Sequence, residues 1–319
     1  MGEKGITDPA PEISVVIPVF NEAPNLNELY SRVVATLEPL KRTFEVVTVD
    51  DGSSDGSYEI LAELQAADPR LRIVRLARNF GQTPALYAGF ANVRGRVIVQ
   101  LDADLQNPPE EIVKLIAKLD EGYDVVQGWR ENRQDTGFRR YASKVLNRIV
   151  SWATNVKIRD LGCGLKAFRH EVIDRLAHFT HHSRYLPAEL VWLGARIAEV
   201  KVEHRERAAG EGKYSLWSLL RLNFDMIASV TTAPIKFVGM LGLLLAFVGF
   251  GMGALIFAKR IIYGNFNQFV SVVAIFFVIA GLQMTATGLL CEYVSRIFIE
   301  AQNKPYYIIR EVREAEQKK

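Results

Sequence analysis

Residues 97–111, "VIVQLDADLQNPPEE", decide how the first half of this chain is interpreted. The stretch begins with an apolar run typical of a buried strand, and two carboxylates, Asp102 and Asp104, follow that run. Two acids so close together repel each other unless water surrounds them or a cation neutralises them. Two interpretations therefore stand side by side: the polar residues cap the helix that follows Pro108, or they bind a divalent cation.

Apolar runs alternate with amphipathic stretches over residues 13–130. The strand-like runs cover residues 13–20, 44–50, 71–76, 96–102 and 123–129. Helical patterns fill the intervals at residues 25–37, 57–67, 83–93 and 109–119. This alternation predicts an α/β fold with a mainly parallel sheet and flanking helices on both faces. Ligands of such folds bind at the carboxyl ends of the strands.

Polar and acidic residues follow three of these runs. They are Asn21 and Glu22 after the first run, Asp50 and Asp51 after the second, and Asp102 and Asp104 after the fourth. Asp102, Asp104 and the amide oxygen of Gln106 would supply one side of an octahedral Mg²⁺ or Mn²⁺ site. The other two strand ends offer acceptors to a nucleobase and a ribose. Together they predict a crevice for a nucleotide diphosphate-sugar held through a divalent ion.

The composition argues against several other classes of protein. The chain has 319 residues, of which 49% are hydrophobic and 24% charged, as is typical of a folded protein. Its formal net charge of +3 gives no indication of nucleic-acid binding. The two cysteines, Cys163 and Cys291, form no disulfide framework and fit a reducing compartment. Neither a G-x-G-x-x-G after the first strand nor a P-loop motif occurs in the sequence.

Two long uncharged segments lie in the last third of the chain, at residues 237–258 and 269–290. Each reaches the length of about 20 residues that crosses the hydrocarbon layer. We therefore predict a two-helix transmembrane hairpin, against the alternative of two buried core helices. Residues 1–12 show no signal-peptide pattern, so we expect both flanks of the hairpin to face the cytoplasm. The amphipathic stretch 213–236 suits either an interfacial helix or an ordinary connector helix.

Six motifs stand in the order seen in family 2 inverting glycosyltransferases. They are "VVIPVFNE", "VDDGSSDGS", "LDADLQNPPE", "GWRENRQD", "RDLGCGLKAFR" and "RAAGEGKYS". More narrowly, the chain resembles the group of dolichol-phosphate mannose synthases and bactoprenol glucosyltransferases, which make polyprenyl-phosphate sugars on a GT-A fold. The resemblance covers roughly residues 13–225, and the predicted hairpin is similar to that of the bactoprenol glucosyltransferase branch.

This resemblance implies roles for particular residues of this chain. The nucleotide-sugar would be bound by Pro18, Phe20, Glu22, Asp50, Asp51, Asp102 and Ala103. The metal would be held by Asp102, Asp104 and Gln106. The acceptor phosphate would be bound by Arg130, Arg139 and Ser143. The catalytic residues would be Asp160, Asp104, Arg207 and Lys213. The family commonly has a serine where this chain has Gly212.

The implied reaction is an in-line attack of a lipid phosphate oxygen on the anomeric carbon of the sugar, with inversion. Arg130, Arg139 and Arg140, with Lys144, form a basic set that would bring the acceptor anion to the donor, or else a solvated helix face. A phosphate monoester with a second pKa near ~6 is already largely ionised at neutral pH. Asp160 is therefore either a general base or an orienting group.

We expect a membrane-bound hexosyltransferase that moves glucose from UDP-glucose onto polyprenyl (undecaprenyl) phosphate. The alternatives are the same chemistry with GDP-mannose, a processive polysaccharide synthase, or a noncatalytic membrane scaffold. The expected location is the inner (plasma) membrane of a bacterium, with the catalytic domain in the cytoplasm. Homo-oligomerisation stays open, and a β-like run at residues 306–309 would suit pairing with another subunit.

The expected domain plan has five parts. They are a flexible tail at 1–12, a catalytic domain at 13–212, the interfacial segment at 213–236, the hairpin at 237–290 and a cytoplasmic C-terminal segment at 291–319.

Overall fold

The structure is a computed structural model that describes residues 10–130, 163–179, 184, 186–203, 268–302 and 304–314, with single residues between 240 and 262. The chain divides into two compact units. Residues 1–214 with 305–319 form the first unit, and residues 215–304 form the second.

An eight-stranded sheet forms the centre of the first unit. Its strands are β1 (Ile13–Val19), β2 (Phe44–Asp50), β3 (Leu71–Leu76), β4 (Val97–Gln100), β5 (Val125–Arg130), β6 (Lys166–Arg169), β7 (Ile197–Val202) and β8 (Ile309–Arg313). They lie in the order β7-β5-β6-β4-β1-β2-β3-β8. Strands β3, β2, β1 and β4 are parallel neighbours, and β5 is parallel to β7. Strand β6 runs antiparallel to β4 and β5, and β8 runs antiparallel to β3.

Helices cover both faces of this sheet. The described helices are α1 (Ala23–Leu37), α2 (Ser57–Ala67), α3 (Gln82–Phe90), α4 (Ile112–Asp120), α5 (His170–Ala177) and α6 (Leu186–Trp192), with 3₁₀ turns at Glu38–Leu40 and Pro109–Glu111. Val15 and Ile17 of β1 share a core with α1, α2 and α4. Val16 lies in the opposite core with α3, α5 and α6. Because alternate residues of β1 enter two different cores, the strand is apolar almost throughout.

The predicted α/β fold with a mainly parallel sheet is confirmed. The strands predicted at 44–50 and 71–76 coincide with β2 and β3, and the helix predicted at 57–67 coincides with α2. The helix predicted at 109–119 begins instead with the 3₁₀ turn, and α4 follows it at Ile112. Pro109 fits the first position of that turn because a proline lacks the N–H that would be left unpaired there.

The last described residues return to the sheet as β8. Its register with β3 runs from Arg313 opposite Ile73 to Ile309 opposite Leu76. The sequence predicted a β-like run slightly earlier, at residues 306–309. Tyr306 and Tyr307 instead pack against the core on the α3 face, and the strand begins after them. The partner of this strand is β3 of the same chain.

In the second unit, the described helix α7 spans Gln268–Ala301 and contains the predicted segment 269–290. Large apolar side chains are exposed along this helix. The predicted segments 213–236 and 237–258 lie wholly or almost wholly outside the described residues. Within the part of the chain that the structure describes, no helix combines the length and the apolar character that a membrane crossing requires.

Candidate active site

The parallel strands β1, β2, β3 and β4 end at one edge of the sheet, and a polar loop follows each of them. These loops comprise residues 20–22, 51–56, 78–82 and 101–108, and Gln82 is also the first residue of α3. They contain most of the described residues that the sequence assigned to a donor site. Contacts between the loops show which of those side chains build the site and which remain able to bind a ligand.

The loops after β1 and β2 are joined by hydrogen bonds. Asn21 adopts a left-handed conformation (φ 55°), which asparagine tolerates better than most residues. Its backbone N–H donates to Ser53 Oγ at 3.1 Å, and its Oδ1 accepts the backbone N–H of Ser54 at 2.9 Å. Asp55 Oδ2 accepts the backbone N–H of Ala23 at 3.0 Å. The second loop therefore fixes the conformation of the first.

Three predicted nucleotide-binding residues lie at the end of β1. Phe20 is 46% exposed although it is a large apolar side chain. The backbone N–H of Glu22 donates to Ser57 Oγ at 3.1 Å, and its Oε2 accepts Asn25 Nδ2 at 2.7 Å. Pro18 lies within β1 and is partly buried. This arrangement leaves the Phe20 ring available to a ligand.

Asp51 ties the end of β2 to the loop after β3. Its Oδ1 accepts the backbone N–H of Phe80 at 2.7 Å, and its Oδ2 accepts that of Gly81 at 2.8 Å. Gly52 (φ +72°) lies so close to this loop that a Cβ there would be 2.7 Å from the backbone nitrogen of Asn79. Burial raises the pKa of Asp51 above its usual value, and the two backbone hydrogen bonds oppose that rise. Both oxygens of Asp51 therefore shape the site from within.

Asp50, the last residue of β2, is fully buried. Its Oδ1 accepts the backbone N–H of Ser53 at 3.1 Å. Its Oδ2 makes no hydrogen bond with a described residue, but Arg75 Nε lies 3.5 Å away and supplies a positive charge. The Arg75 guanidinium also lies over the ring of Tyr58, 3.8 Å from the ring centre. A buried carboxylate is costly without such a partner, so Arg75 is part of the structure of this strand end.

Asp102 is held between two elements that are distant in sequence. Its Oδ1 accepts Nε2 of Gln82, the first residue of α3, at 2.8 Å. Its Oδ2 lies against the backbone of Gly164, so close that a Cβ on this glycine would be only 1.7 Å away. No other amino acid fits at Gly164 without moving Asp102. The loop before β6 and the start of α3 together fix this carboxylate.

The residues after Asp102 form a tight acidic loop. Asp104 Oδ1 accepts the backbone N–H of Gln106 at 3.1 Å. Leu105 adopts a left-handed conformation (φ 59°), an uncommon one for leucine, while its side chain is buried in the core. Ala103 is buried in the same core. Strained backbone of this kind is typical of ligand-binding sites, and here it keeps Asp102 and Asp104 in one short turn.

The electrostatics of this turn favour a cation. Burial raises the pKa of Asp102 above its usual value, and the negative charge of Asp104 raises it further, while Lys166 and Arg130 oppose the rise. The oxygen donors suit Mg²⁺ or Mn²⁺ better than Zn²⁺, which prefers nitrogen and sulfur. Among the described residues, no group of three or more His, Cys, Asp or Glu could hold a metal. Two carboxylates are a common protein contribution to a Mg²⁺ site that also contains substrate phosphates and water.

A row of polar side chains crosses the sheet beside this turn. Gln100 of β4 and Gln127 of β5 both lie opposite Lys166 of β6 in the strand register. All three are at most 6% exposed. Lys166 Nζ donates to the backbone oxygen of Cys163. This buried lysine places a positive charge near Asp102, and Arg130 at the end of β5 adds a second.

The structure describes ten of the residues that the sequence assigned to the site. They are Pro18, Phe20, Glu22, Asp50, Asp51, Asp102, Ala103, Asp104, Gln106 and Arg130. Five others lie outside the described residues: Arg139, Ser143, Asp160, Arg207 and Lys213.

Three further contributors to the site were not predicted from the sequence: the loop at residues 78–82, Gly164 and Lys166. The signal for the loop was present, since "ARNFGQ" follows the third strand and therefore lies at the same edge of the sheet. The contact of Gly164 with Asp102 joins residues far apart in the chain and has no local signal.

Comparison with known proteins identifies the class. The sequence profile described as Glycosyl transferase family 2 matches residues 14–177, more than half of the chain. The chain therefore belongs to glycosyl transferase family 2. Its α/β sheet is of the GT-A type, and the protein is a glycosyltransferase.

Solved structures show the same fold. Mannosyl-3-phosphoglycerate synthase from Rubrobacter xylanophilus is 16% identical, with a TM-score of 0.53 over 69% of this chain and 73% of that one. Glucosyl-3-phosphoglycerate synthase from Mycobacterium tuberculosis, in complex with UDP, is 22% identical, with a TM-score of 0.50 over 69% of this chain and 79% of that one. The structure of the same enzyme with Mn²⁺, UDP and phosphoglyceric acid is 22% identical, with a TM-score of 0.50 over 69% of this chain and 77% of that one. At such low identity these structures establish the fold alone.

Proposed function

We propose that this glycosyltransferase transfers a hexose from a nucleotide diphosphate-sugar to polyprenyl phosphate, with inversion at the anomeric carbon. UDP-glucose is the donor we propose, and GDP-mannose is the alternative. The observation that carries the donor half of the proposal is the acidic turn: Asp102 is fixed against Gly164, with Asp104 two residues later, at the strand edge where a nucleotide would bind.

The proposed cofactor is Mg²⁺ or Mn²⁺. Asp102, Asp104 and the amide oxygen of Gln106 would hold the ion, and Gln82 and Gly164 keep Asp102 in position. When bound, the ion neutralises charge that develops on the departing diphosphate. The solved glucosyl-3-phosphoglycerate synthase that contains Mn²⁺ and UDP supports this choice of cofactor and nucleotide.

The donor nucleotide would lie along the ends of β1 and β2, with Pro18 in its floor. Phe20 offers an exposed ring for a base to pack against, and the carboxylate of Glu22 offers an acceptor to a ribose hydroxyl. Asp50 and Asp51 are both buried and already accept hydrogen bonds from the backbone. Their part in the proposal is to hold the loops that form the walls of the site.

The acceptor phosphate would be bound by Arg130, at the end of β5, together with Arg139 and Ser143. Arginine suits this task because its planar guanidinium donates two parallel hydrogen bonds to a phosphate. The acceptor is already ionised near neutral pH, so Asp160 would orient a substrate or an arginine, or remove the last proton. Arg207 and Lys213 would close over the diphosphate and stabilise it as it leaves.

A lipid acceptor is proposed because of a pattern in the sequence: residues 237–258 and 269–290 carry no charge, and each segment exceeds the length of about 20 residues that is typical of a predicted transmembrane helix. In this proposal they form a transmembrane hairpin, segment 213–236 lies at the interface, and the catalytic domain faces the cytoplasm. A polyprenyl chain stays dissolved in the bilayer, so an anchored enzyme meets its phosphate at the membrane surface.

The test is release of nucleoside diphosphate from a panel of UDP- and GDP-sugars by the full-length protein in detergent. Each donor is assayed with undecaprenyl phosphate, with 3-phosphoglycerate and without acceptor, each with and without EDTA. Asp102→Asn serves as the inactive control. Mass spectrometry of the lipid fraction identifies the transferred sugar.

The proposal predicts release that requires both undecaprenyl phosphate and a divalent ion, and one hexose added to the lipid. Release with 3-phosphoglycerate alone would replace the lipid with a soluble acceptor. Addition of many sugars would indicate a processive synthase, and no release under any condition would indicate a noncatalytic scaffold.

A further inference from the structure

The C-terminal strand β8 lies beside the part of β3 that leads into the candidate site. The backbone N–H of Ala77 donates to the carbonyl oxygen of Ile308 at 2.9 Å, so pairing continues to the residue before the loop at 78–82. Glu311 of β8 lies directly opposite Arg75 of β3. The ladder also shifts register between Arg75 and Leu76, where β8 has one additional residue. This strand therefore meets the sheet at the residue that neutralises Asp50.

Four side chains form a chain of contacts from β8 to the end of β2. Tyr58 Oη donates to Glu311 Oε2 at 3.1 Å. The Arg75 guanidinium lies 3.8 Å above the centre of the Tyr58 ring. Arg75 Nε in turn lies 3.5 Å from Oδ2 of Asp50, which is fully buried. Glu311 thus holds the ring on which the Arg75 guanidinium rests.

The side chain of Arg75 is free to change its position, whereas that of Asp50 is not. The Arg75 side chain is 25% exposed, so its guanidinium can move towards water. Asp50 is enclosed, and without Arg75 its charge would lie unpaired at the strand end. An unpaired negative charge there would repel a diphosphate. The contacts of Tyr58 with Arg75 and with Glu311 are separate from the hydrogen bond between Asp50 and Ser53, so their effect is a matter for experiment.

We propose that Glu311 and Tyr58 are positioning residues for the donor site: they hold Arg75 against Asp50, and through it the C-terminal strand sets the affinity for the donor nucleotide. This inference rests on the proposed function in one respect, that the nucleotide binds at the strand edge that Asp50 closes. Neither residue is proposed to touch the donor.

Glu314 provides a matched control beside the same strand. It follows β8 directly and pairs with an arginine, Arg72, near the amino end of β3. Arg72 has a second acidic partner, Glu45, at 3.3 Å. Loss of Glu314 therefore weakens the docking of the C-terminal segment but does not touch the contacts that lead to Asp50. An effect seen only on loss of Glu311 would then come from its contact with Tyr58 and not from weaker docking of the segment.

The experiment compares wild type with Glu311→Ala, Tyr58→Phe, the double variant and Glu314→Ala, all as full-length protein in detergent. The readouts are the KM for the donor, the KM for undecaprenyl phosphate, kcat, and the Kd for UDP with Mn²⁺ by calorimetry. Glu311→Ala and Tyr58→Phe should each raise the donor KM and the UDP Kd about 3- to 10-fold, the effect of losing one hydrogen bond. The kcat and the acceptor KM should stay within about 2-fold.

The double variant should resemble either single variant because both changes break the same contact. Glu314→Ala should leave the donor KM unchanged. Equal donor KM values in Glu311→Ala and wild type, or equal increases in Glu311→Ala and Glu314→Ala, would overturn the inference while the proposed function stands. A wild-type protein that neither turns over a donor nor binds UDP would overturn both.

Discussion

Asp51 and Asp102 are acids at the ends of parallel strands of one sheet, yet their carboxylates have different surroundings. Asp51 accepts two backbone N–H groups, so its charge is used inside the protein. Asp102 accepts one side-chain hydrogen bond, from Gln82, among the described residues, and its other oxygen lies against Gly164. One acidic strand end is therefore used to build the site, and the other has the surroundings that suit the cation proposed above.

The largest effect is expected at the cation-binding end. Asp102→Asn should lower kcat/KM by at least about 100-fold, as loss of a group that stabilises transition-state charge does. Steady-state assays with UDP-glucose and undecaprenyl phosphate measure it. Asp160→Asn, assayed in parallel, should retain more activity, because an ionised acceptor has little need of a general base. Equal or greater loss in Asp160→Asn would show that proton removal dominates.

The thermal stability of Asp102→Asn shows whether Asp102 serves the fold or the ligand. The folded protein raises the pKa of Asp102, so the unfolded state loses this proton first as the pH rises. Stability then falls from the ordinary carboxyl pKa up to the raised one and stays lowered above it. At neutral pH without metal, Asp102→Asn should therefore melt at the same temperature as wild type or higher. A clearly lower melting temperature would mean that Asp102 serves the fold.

A smaller but still large effect is expected from Gly164→Ala. The added methyl would lie 1.7 Å from Asp102 Oδ2, so the carboxylate must move away from its position. Displacing the support of a metal ligand typically costs about 10- to 100-fold in activity or metal affinity. Gly288→Ala is the control, because a Cβ there meets no atom of the described residues within 4 Å. If both variants kept wild-type activity, the position of Asp102 would not matter to the reaction.

Asp51→Ala should show the opposite profile to Asp102→Asn. Two backbone N–H groups lose their acceptor, which should lower the free energy of unfolding by about 1–3 kcal/mol. The donor KM should rise about 3- to 10-fold as the loop at residues 78–82 loosens. Asp120→Ala, which removes an exposed ion pair with Arg42, should change neither quantity measurably. An unchanged melting temperature in Asp51→Ala would contradict its internal role.

The smallest effect is expected from Gln82→Ala, which removes one exposed hydrogen bond to Asp102. Mn²⁺ affinity and kcat/KM should fall about 2- to 5-fold. Gln82→Glu should be worse, because it places a third negative charge beside Asp102 and Asp104. The reverse order of the two variants would show that Gln82 contacts the substrate through its amide rather than supporting Asp102.

Local patterns in the sequence were sufficient to predict several strands of the sheet. The mostly apolar runs that became β2 and β3 are bounded by polar residues, and their apolar side chains are buried on both faces of the sheet. The acidic residues of the site could also be predicted, because they directly follow these runs and the carboxyl ends of parallel strands lie at one edge of the sheet.

Long-range contacts could not be predicted in this way. The contact between Asp102 and Gly164, like the pairing of Glu311 with Tyr58, joins segments that only the folded chain brings together. The different surroundings of Asp51 and Asp102 also depend on such contacts, because two acids at strand ends look alike in the sequence. The loop at residues 78–82 was missed because it carries no acid, although its position after β3 pointed to the same edge.

Measurement of Mn²⁺ binding shows directly whether Asp102 and Asp104 hold a divalent ion together with a nucleoside diphosphate. Electron paramagnetic resonance of free Mn²⁺, titrated with full-length protein and UDP, gives the affinity in wild type, Asp102→Asn and Asp51→Ala. We predict one UDP-dependent ion in wild type, affinity at least about tenfold weaker in Asp102→Asn, and affinity within about threefold of wild type in Asp51→Ala. Equal Mn²⁺ affinity in wild type and Asp102→Asn would show that Asp102 does not bind the ion.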